Sequence, residues 1–308
     1  MKEDIHITVL IPSYEYVDGI SRIFNHFKLS AYKDGIDIIV FDDSKSDKIK
    51  NLVHENILFK YGKIKYQKND VSLGAVNNWN MLIENAQSDY IFVLHQDECP
   101  IDLNFFYNLK KIIQEHNMPD LVFLRCVHLV SKNSFAPYFF SRFTQLVLKY
   151  FPQYLFLRNV TGSPSNIIVR NSVVEKFDNN LQWLVDVDWF FSMLKKNPSW
   201  IFAKKLQILS VKDDETSITQ SISRDIKSIL LKELKYLKNK HKNLFIFQLM
   251  KPSHFFEYFY TYIEKLLWYL LKIFSLIAAI FTKKKLPNWW KSNSAVNKTT
   301  HNCSSNII

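Results

Sequence analysis

Three groups of residues in this chain have types and spacings that could do chemistry: Asp42-Asp43-Ser44, His95-Gln96-Asp97-Glu98, and the pair Asp186 and Asp188 within "LQWLVDVDWFF". The first two follow directly on the apolar runs "IDIIVF" and "YIFVL". Carboxylates gathered at one edge repel one another unless a bound cation or the donors of a ligand offset the repulsion. A hard divalent cation takes oxygen ligands of this kind and commonly shares them with phosphate. The plainer reading is that acids end strands and cap the helices that follow, as Asp43 or Ser44 would before "KSDKIKNLVHE". Its recurrence after two strands, in order, favours the ligand. Asp186 and Asp188 divide the same way, into first-turn charges that suit a helix dipole or groups with a task of their own.

These clusters need a scaffold that brings strand ends together. "IHITVLI" (5–11), "IDIIVF" (36–41), "KIKYQ" (63–67), "YIFVL" (90–94) and "DLVFLRCV" (120–127) read as strands, being short, β-branched or aromatic and bounded by polar turns. Between them, "VDGISRIFNHFKLS" and "GAVNNWNMLIENAQ" carry apolar residues at helical spacing. Such alternation predicts an α/β fold with a mostly parallel sheet covered by helices on both faces. Ligands then bind beyond the carboxyl ends of the strands. Pro12-Ser13-Tyr14, Asp42-Asp43-Ser44 and His95-Gln96-Asp97-Glu98 all fall there.

Of the 308 residues, 47% are hydrophobic and 22% charged, which excludes a disordered chain. Forty basic against 29 acidic residues leave a net charge of +11, which favours an anionic partner: nucleic acid, anionic lipid or a phosphorylated substrate. No nucleic-acid-binding module is recognisable, so nucleic acid is not expected. Cys99, Cys126 and Cys303 are odd in number and far apart, which speaks against a disulfide framework and for a reducing, cytoplasmic setting. The opening "MKEDIHITVLIPSYEY" has neither the basic start nor the long apolar run of a signal peptide.

Taken together, "VLIPSY", "FDDSKSD" and "NDVSLGAVNNWNMLIENAQSDYIFVLHQDE" resemble the GT-A-fold glycosyltransferases of family 2, in particular bacterial enzymes that build O-antigen, capsule and other surface polysaccharides. The resemblance covers about residues 5 to 220. It implies that Pro12, Ser13, Tyr14, Asp42, Asp43, Asn78, His95 and Gln96 bind the nucleotide-sugar donor. It also implies that Asp97, matching the last Asp of the family's DxD motif, and Glu98 bind Mn²⁺ or Mg²⁺. His95 stands where the first Asp of that motif often lies, and the glycine that usually follows Asp-Asp is missing after Asp43. Gly162 and Ser163 in "RNVTGSPSNIIVR", with Trp183 and Asp188, fall on the acceptor side, and Asp186 matches the catalytic Asp. The implied reaction is an inverting single displacement in which that carboxylate takes the proton of the acceptor hydroxyl. Relatives often carry an Arg-x-His near the diphosphate; here Lys212 is the nearest base, read as an exposed lysine or a diphosphate contact.

Two regions decorate this plan. "APYFFSRFTQLVLKYFPQYLFLRN" (136–159) is an aromatic, basic insert, either an acceptor flap or a helical pair completing the core. "FFEYFYTYIEKLLWYLLKIFSLIAAIFT" (255–282) has one narrow polar stripe, and Lys283-Lys284-Lys285 and Trp289-Trp290 follow it. That pattern fits an amphipathic helix lying on an anionic membrane, with a spanning helix or one packed against protein as the other readings. The expected organisation is a catalytic domain over 1–220, C-terminal amphipathic, membrane-associating helices over 221–290 and a polar tail over 291–308. The expected setting is cytoplasmic, peripheral on the inner face of the cell membrane, with a glycan or lipid-linked glycan as acceptor. A nucleotidyltransferase would share the sheet and the acids, but no Gly-rich, basic phosphate loop follows the first strand. A catalytically degenerate binding or scaffold subunit is the rival from another class, kept open by the imperfect His95-x-Asp97.

Overall fold

Apolar runs too continuous to face water on either side call for burial on both faces, and the structure supplies it in one large sheet. The computed structural model describes residues 4–33, 35–131, 134–137, 142–211, 226–244 and 246–247. Nine strands lie in it: β1 (Ile7–Ser13), β2 (Ile36–Asp42), β3 (Ile64–Lys68), β4 (Tyr90–Val93), β5 (Glu98–Pro100), β6 (Leu121–Ser131), β7 (Ser134–Pro137), β8 (Ile167–Arg170) and β9 (Trp200–Ser210). Their order is β3-β2-β1-β4-β8-β6-β9-β5, with β7 paired to β6. Strands β1 to β4, β6 and β9 run the same way, and β5, β7 and β8 run against them. The mostly parallel α/β sheet expected from the sequence is therefore the one observed.

The helices are α1 (Val17–Lys33), α2 (Lys48–Glu55), α3 (Ile57–Lys60), α4 (Ala75–Glu84), α5 (Phe105–Glu115), α6 (Arg142–Tyr150), α7 (Val185–Leu194) and α8 (Ile226–Lys240). Strand alternation sorts the core into two layers. Ile7, Val9 and Ile11 of β1, Ile36, Ile38 and Val40 of β2, and Tyr90 and Phe92 of β4 cluster with Ile20, Phe24 and Phe27 of α1, Val53 of α2 and Phe105, Phe106 and Leu109 of α5. The intervening Leu10, Ile39, Phe41, Ile91 and Val93 are as deeply buried but stand outside that cluster, and α4 packs on β1 and β2 with Trp79, Leu82 and Ile83 buried. Two covered faces leave the strand ends as the place where polar groups can gather.

Of the 136–159 insert, the described part completes the core. α6 leads into a 3-10 turn over Pro152–Phe156, and the Phe156 ring lies 4.9 Å from both Phe191 of α7 and Phe247. The helix expected to begin a separate region after residue 220 behaves differently from that expectation. α8 belongs to the compact unit Met1–Phe247, with Glu233, Leu234 and Leu237 buried. Within that unit Lys240 of α8 reaches back to Asp188 of α7 at 2.7 Å. Among the described residues no helix is long and apolar enough to cross a membrane; the 255–282 segment, Lys212, Cys303 and the tail lie outside them.

Candidate active site

The strand ends build a lattice of side-chain to backbone bonds before any ligand is considered. At the end of β1, the Asp43 amide donates to the Ser13 carbonyl at 2.9 Å. The Gln96 side chain closes a two-way clasp on Tyr14, accepting from its N–H at 2.8 Å and donating to its carbonyl at 3.1 Å. The clasp ties the end of β1 to the turn after β4. Gly19 allows α1 to pass over that turn: a Cβ there would lie 2.1 Å from the Gln96 carbonyl oxygen.

The two carboxylates at the end of β2 are committed to the protein itself. Fully buried Asp42 accepts from the Ser44 amide at 3.0 Å and from the Tyr66 hydroxyl at 2.8 Å. Asp43 accepts from Asn69 Nδ2, Ser72 Oγ and the amides of Leu73 and Gly74, at 2.7 to 3.0 Å. Burial pushes the Asp43 carboxyl up, but these four donors outweigh it and hold it below its ordinary range. Asp43 thus seats the segment that enters α4 rather than presenting a free carboxylate to a donor nucleotide.

The Asn-Trp-Asn run on α4 works the same way. Asn78 donates to the Phe41 carbonyl at 3.0 Å and accepts from Asn69, so the amide expected to touch the donor is spent on β2. Asn80 both donates to the Phe177 carbonyl and accepts from the Phe177 amide, pinning the chain that leads toward α7. Trp79, between them, stacks on His95 with ring centroids 4.9 Å apart.

His95, Asp97 and Glu98 converge: each offers one ligand atom, and these atoms all lie within 4.8 Å of one another. Burial lowers the His95 imidazole, against the Asp97 charge, which favours the neutral, ligating form. Its Nε2 is buried with no hydrogen-bond partner. Glu98 opens β5 and is 4% exposed. Burial, with the charges of Asp97 and Asp186, raises its carboxyl to about 8 against the lowering hydroxyls of Ser165 and Ser163. One imidazole nitrogen and two crowded carboxylates could hold a divalent cation, which would relieve the repulsion that raises the Glu98 carboxyl. His95, expected on the donor side, lies in one cluster with Asp97 and Glu98, the two residues expected to bind metal.

The acceptor-side residues separate. Ser163 donates to both carboxylate oxygens of Glu98 at 2.8 Å, so it supports the cluster rather than standing apart from it. Gly162, at φ 85°, makes the turn that brings it there. Asp188 is 2% exposed and paired with Lys240 and His241 of the C-terminal stretch, both at 2.7 Å. It is an interior anchor, which corrects its expected acceptor role. Trp183 is partly exposed, and its amide donates to the Glu233 carboxylate.

Asp186 lies in the first turn of α7. Its charge reaches Glu98, its Oδ1 is sealed from solvent with no hydrogen-bond partner, and burial raises its carboxyl to about 7. An unsatisfied buried carboxylate oxygen with a near-neutral pKa is equipped to take a proton. Of Asp43, Asp97 and Asp186, expected around one cavity, the last two both act by charge on Glu98, while Asp43 turns into the 69–74 segment. Cys126 lines the same neighbourhood: burial raises its thiol to about 12, and the Glu98 and Asp97 charges add to the rise. Sequence reasoning did not reach Glu233, Lys240, His241, Ser165 or Asn166; only an acid or base inside an apolar helical stripe, as Glu233 is in "ILLKELKYL", could have signalled any of them.

The family model described as Glycosyl transferase family 2 matches residues 8–177, more than half of the chain. No curated protein matches. Among solved structures, S. aureus TarS in complex with UDP-GlcNAc is similar, with a TM-score of 0.55 and 15% identity over 76% of this chain and 67% of that one. The mannosyltransferase PcManGT from Pyrobaculum calidifontis, in complex with GDP-Man and Mn²⁺, gives a TM-score of 0.54 and 11% identity over 77% of this chain and 65% of that one. Of a longer TarS structure the chain spans only 40%. At such identities the likeness concerns the fold.

Proposed function

This chain belongs to glycosyl transferase family 2, and on that premise we propose that it moves a sugar from a nucleoside-diphosphate donor to a hydroxyl of a glycan acceptor, with inversion at the anomeric carbon. The observation that supports this reading is Asp186: half-buried with its Oδ1 sealed and unpaired, its carboxyl raised to about 7 by burial, and its charge felt by Glu98. Asp186 accepts the hydroxyl proton as the acceptor oxygen bonds to the anomeric carbon, while the bond to the leaving diphosphate oxygen breaks on the opposite face.

His95, Asp97 and Glu98 would hold Mn²⁺ or Mg²⁺, which when bound supplies positive charge to the departing diphosphate. Ser163 and Ser165 keep Glu98 aimed into the cluster. The nucleotide is read as lying along the ends of β1 and β2, where Tyr14, 41% exposed, offers a ring for a base to stack on. The donor class is the one both similar structures hold.

The 255–282 stripe, the lysines after it and the net charge of +11 support a peripheral position on an anionic membrane, at the inner face of the cell membrane. A lipid-linked acceptor in surface-polysaccharide assembly would give charge and stripe a common purpose.

The test is release of nucleoside diphosphate from a panel of nucleotide sugars with Mn²⁺ and acceptor, with Asp97→Asn and Asp186→Asn as comparisons. Metal-dependent release, lost in both variants, with the product's anomeric configuration inverted by NMR, is the expected result. Release of sugar 1-phosphate instead, with the nucleotidyl group passed to the acceptor, would identify a nucleotidyltransferase, and no turnover with any donor would identify a degenerate scaffold.

A further inference from the structure

We propose that Glu233, on α8, is a positioning residue for the base: its carboxylate fixes the entry to α7 and so aims Asp186 at the His95–Asp97–Glu98 cluster. The proposal rests on the reading of Asp186 as the base.

A helix leaves its first N–H groups without partners, and a side chain at the N-cap ordinarily takes one of them. α7 has no such cap, since its N-cap is Leu184. One carboxylate from about fifty residues further along instead takes the amide of Leu184 and those of the two residues before it, fixing the turn that enters the helix. Glu233 accepts from the amide of Gln182 at 2.6 Å, from Trp183 at 3.1 and 3.2 Å, and from Leu184 at 2.8 Å. It is 4% exposed, so these bonds are shielded from water. A negative charge there also suits the positive end of α7.

Asp186 follows two residues after the last of these amides. Two residues beyond it, Asp188 is tied by Lys240 and His241 at the other end of α8. Burial pulls the Lys240 ammonium down, but Asp178 and Asp188 outweigh it, so it stays charged and the tie holds. Asp186 is thereby bracketed by two anchors on one helix. Its Oδ1 has no hydrogen-bond partner, so the backbone of α7, and through it Glu233, sets where that oxygen stands.

The full-length chain is assayed as Glu233→Ala, Glu233→Gln and Asp186→Asn with the nucleotide sugar and acceptor that the donor panel identifies. Misplacing a catalytic group by about 1 Å can cost on the order of a hundredfold, so Glu233→Ala should lower kcat roughly ten- to a hundredfold with KM values within about threefold of the parent. Glu233→Gln keeps a carbonyl for the amides and should recover kcat to within roughly fivefold of the parent. Amide hydrogen exchange at 182–184 needs no substrate and should quicken about tenfold or more in Glu233→Ala.

Unchanged kcat or unchanged exchange in a folded Glu233→Ala overturns the proposal. So does an equal loss in the Ala and Gln variants with raised KM, which marks general loosening. If Glu233→Ala does not fold, Glu233→Asp, which keeps the charge but shortens the reach to the amides, decides: a lower kcat at constant KM supports the proposal and no change overturns it. An Asp186→Asn enzyme with full kcat removes the base reading itself. An inactive Asp186→Asn beside an unimpaired Glu233→Ala removes only the positioning.

Discussion

Trp79 of α4 lies almost face to face with His95, the ring centroids 4.9 Å apart and the planes 28° from parallel. The indole is 6% exposed, so it is at once core and wall of the His95–Asp97–Glu98 cluster. Removing it deletes a large buried side chain and frees an imidazole whose orientation the stack fixes. Trp79→Ala should cost about 3–5 kcal/mol of stability in a denaturant titration. Trp79→Phe keeps a stacking ring and should preserve Mn²⁺ affinity, measured by calorimetry, better than Trp79→Leu does. Equal affinities in the Phe and Leu variants would show that the stack does not orient His95.

Asp186 titrates where an enzyme is usually assayed. Burial favours its protonated form and raises the carboxyl to about 7, whereas a base acts only when ionised. Activity should therefore climb about tenfold per pH unit below that value and level off above it. Asp186→Asn should lower kcat by about 10²–10⁴-fold and abolish that limb of the profile. Initial rates from pH 5 to 9, at saturating metal and donor, make the comparison.

How much was readable in advance follows from how local each signal is. β1, β2 and β4 are short and buried on both faces, so their side chains alone announce them. β9 carries exposed Lys204 and Lys205 in mid-strand, and β5 is only Glu98-Cys99-Pro100, so neither has a pattern to find. At the site, the strand-end position of Asp97 and Glu98 and the first-turn position of Asp186 were legible. The duties of Asp43, Asn78 and Gln96 were not, because a motif shows that a polar side chain is needed without showing whether protein or ligand satisfies it. The partners of Asp188 were hidden for a different reason: Lys240 and His241 look like surface charges until α8 folds back.

Asp178 gives the α8 attachment a pH signature. Burial raises its carboxyl, but Lys240, Asn180 and Tyr236 together bring it down to about 2. A carboxyl depressed on folding contributes stability that is complete above its unfolded value of about 4 and is lost as pH falls through the folded one. Between pH 5 and 2 the parent should lose more in melting temperature than Asp178→Asn, whose amide does not titrate there. Parallel melting curves for the two proteins across that range would show that α8 is held by other contacts.

Gly162 is the position where one added methyl should reach furthest. At φ 85° an L side chain is strained, and a Cβ would lie 2.3 Å from Asn166 Nδ2. The turn is already closed by Asn159, whose side chain accepts from the amides of Thr161 and Gly162 and donates to the Gly162 carbonyl, so it has little room to yield. Relief must come from Asn166 or from Ser163, whose hydroxyl is shared between the two carboxylate oxygens of Glu98. Gly162→Ala should therefore cost about 1–3 kcal/mol of stability and weaken Mn²⁺ binding together. Ser163→Ala removes the hydroxyl without straining the backbone, so it should weaken metal binding with a smaller loss of stability. A Gly162→Ala protein that is destabilised yet binds Mn²⁺ as tightly as the parent would show that the strain stops at Asn166 and that the turn does not govern Glu98.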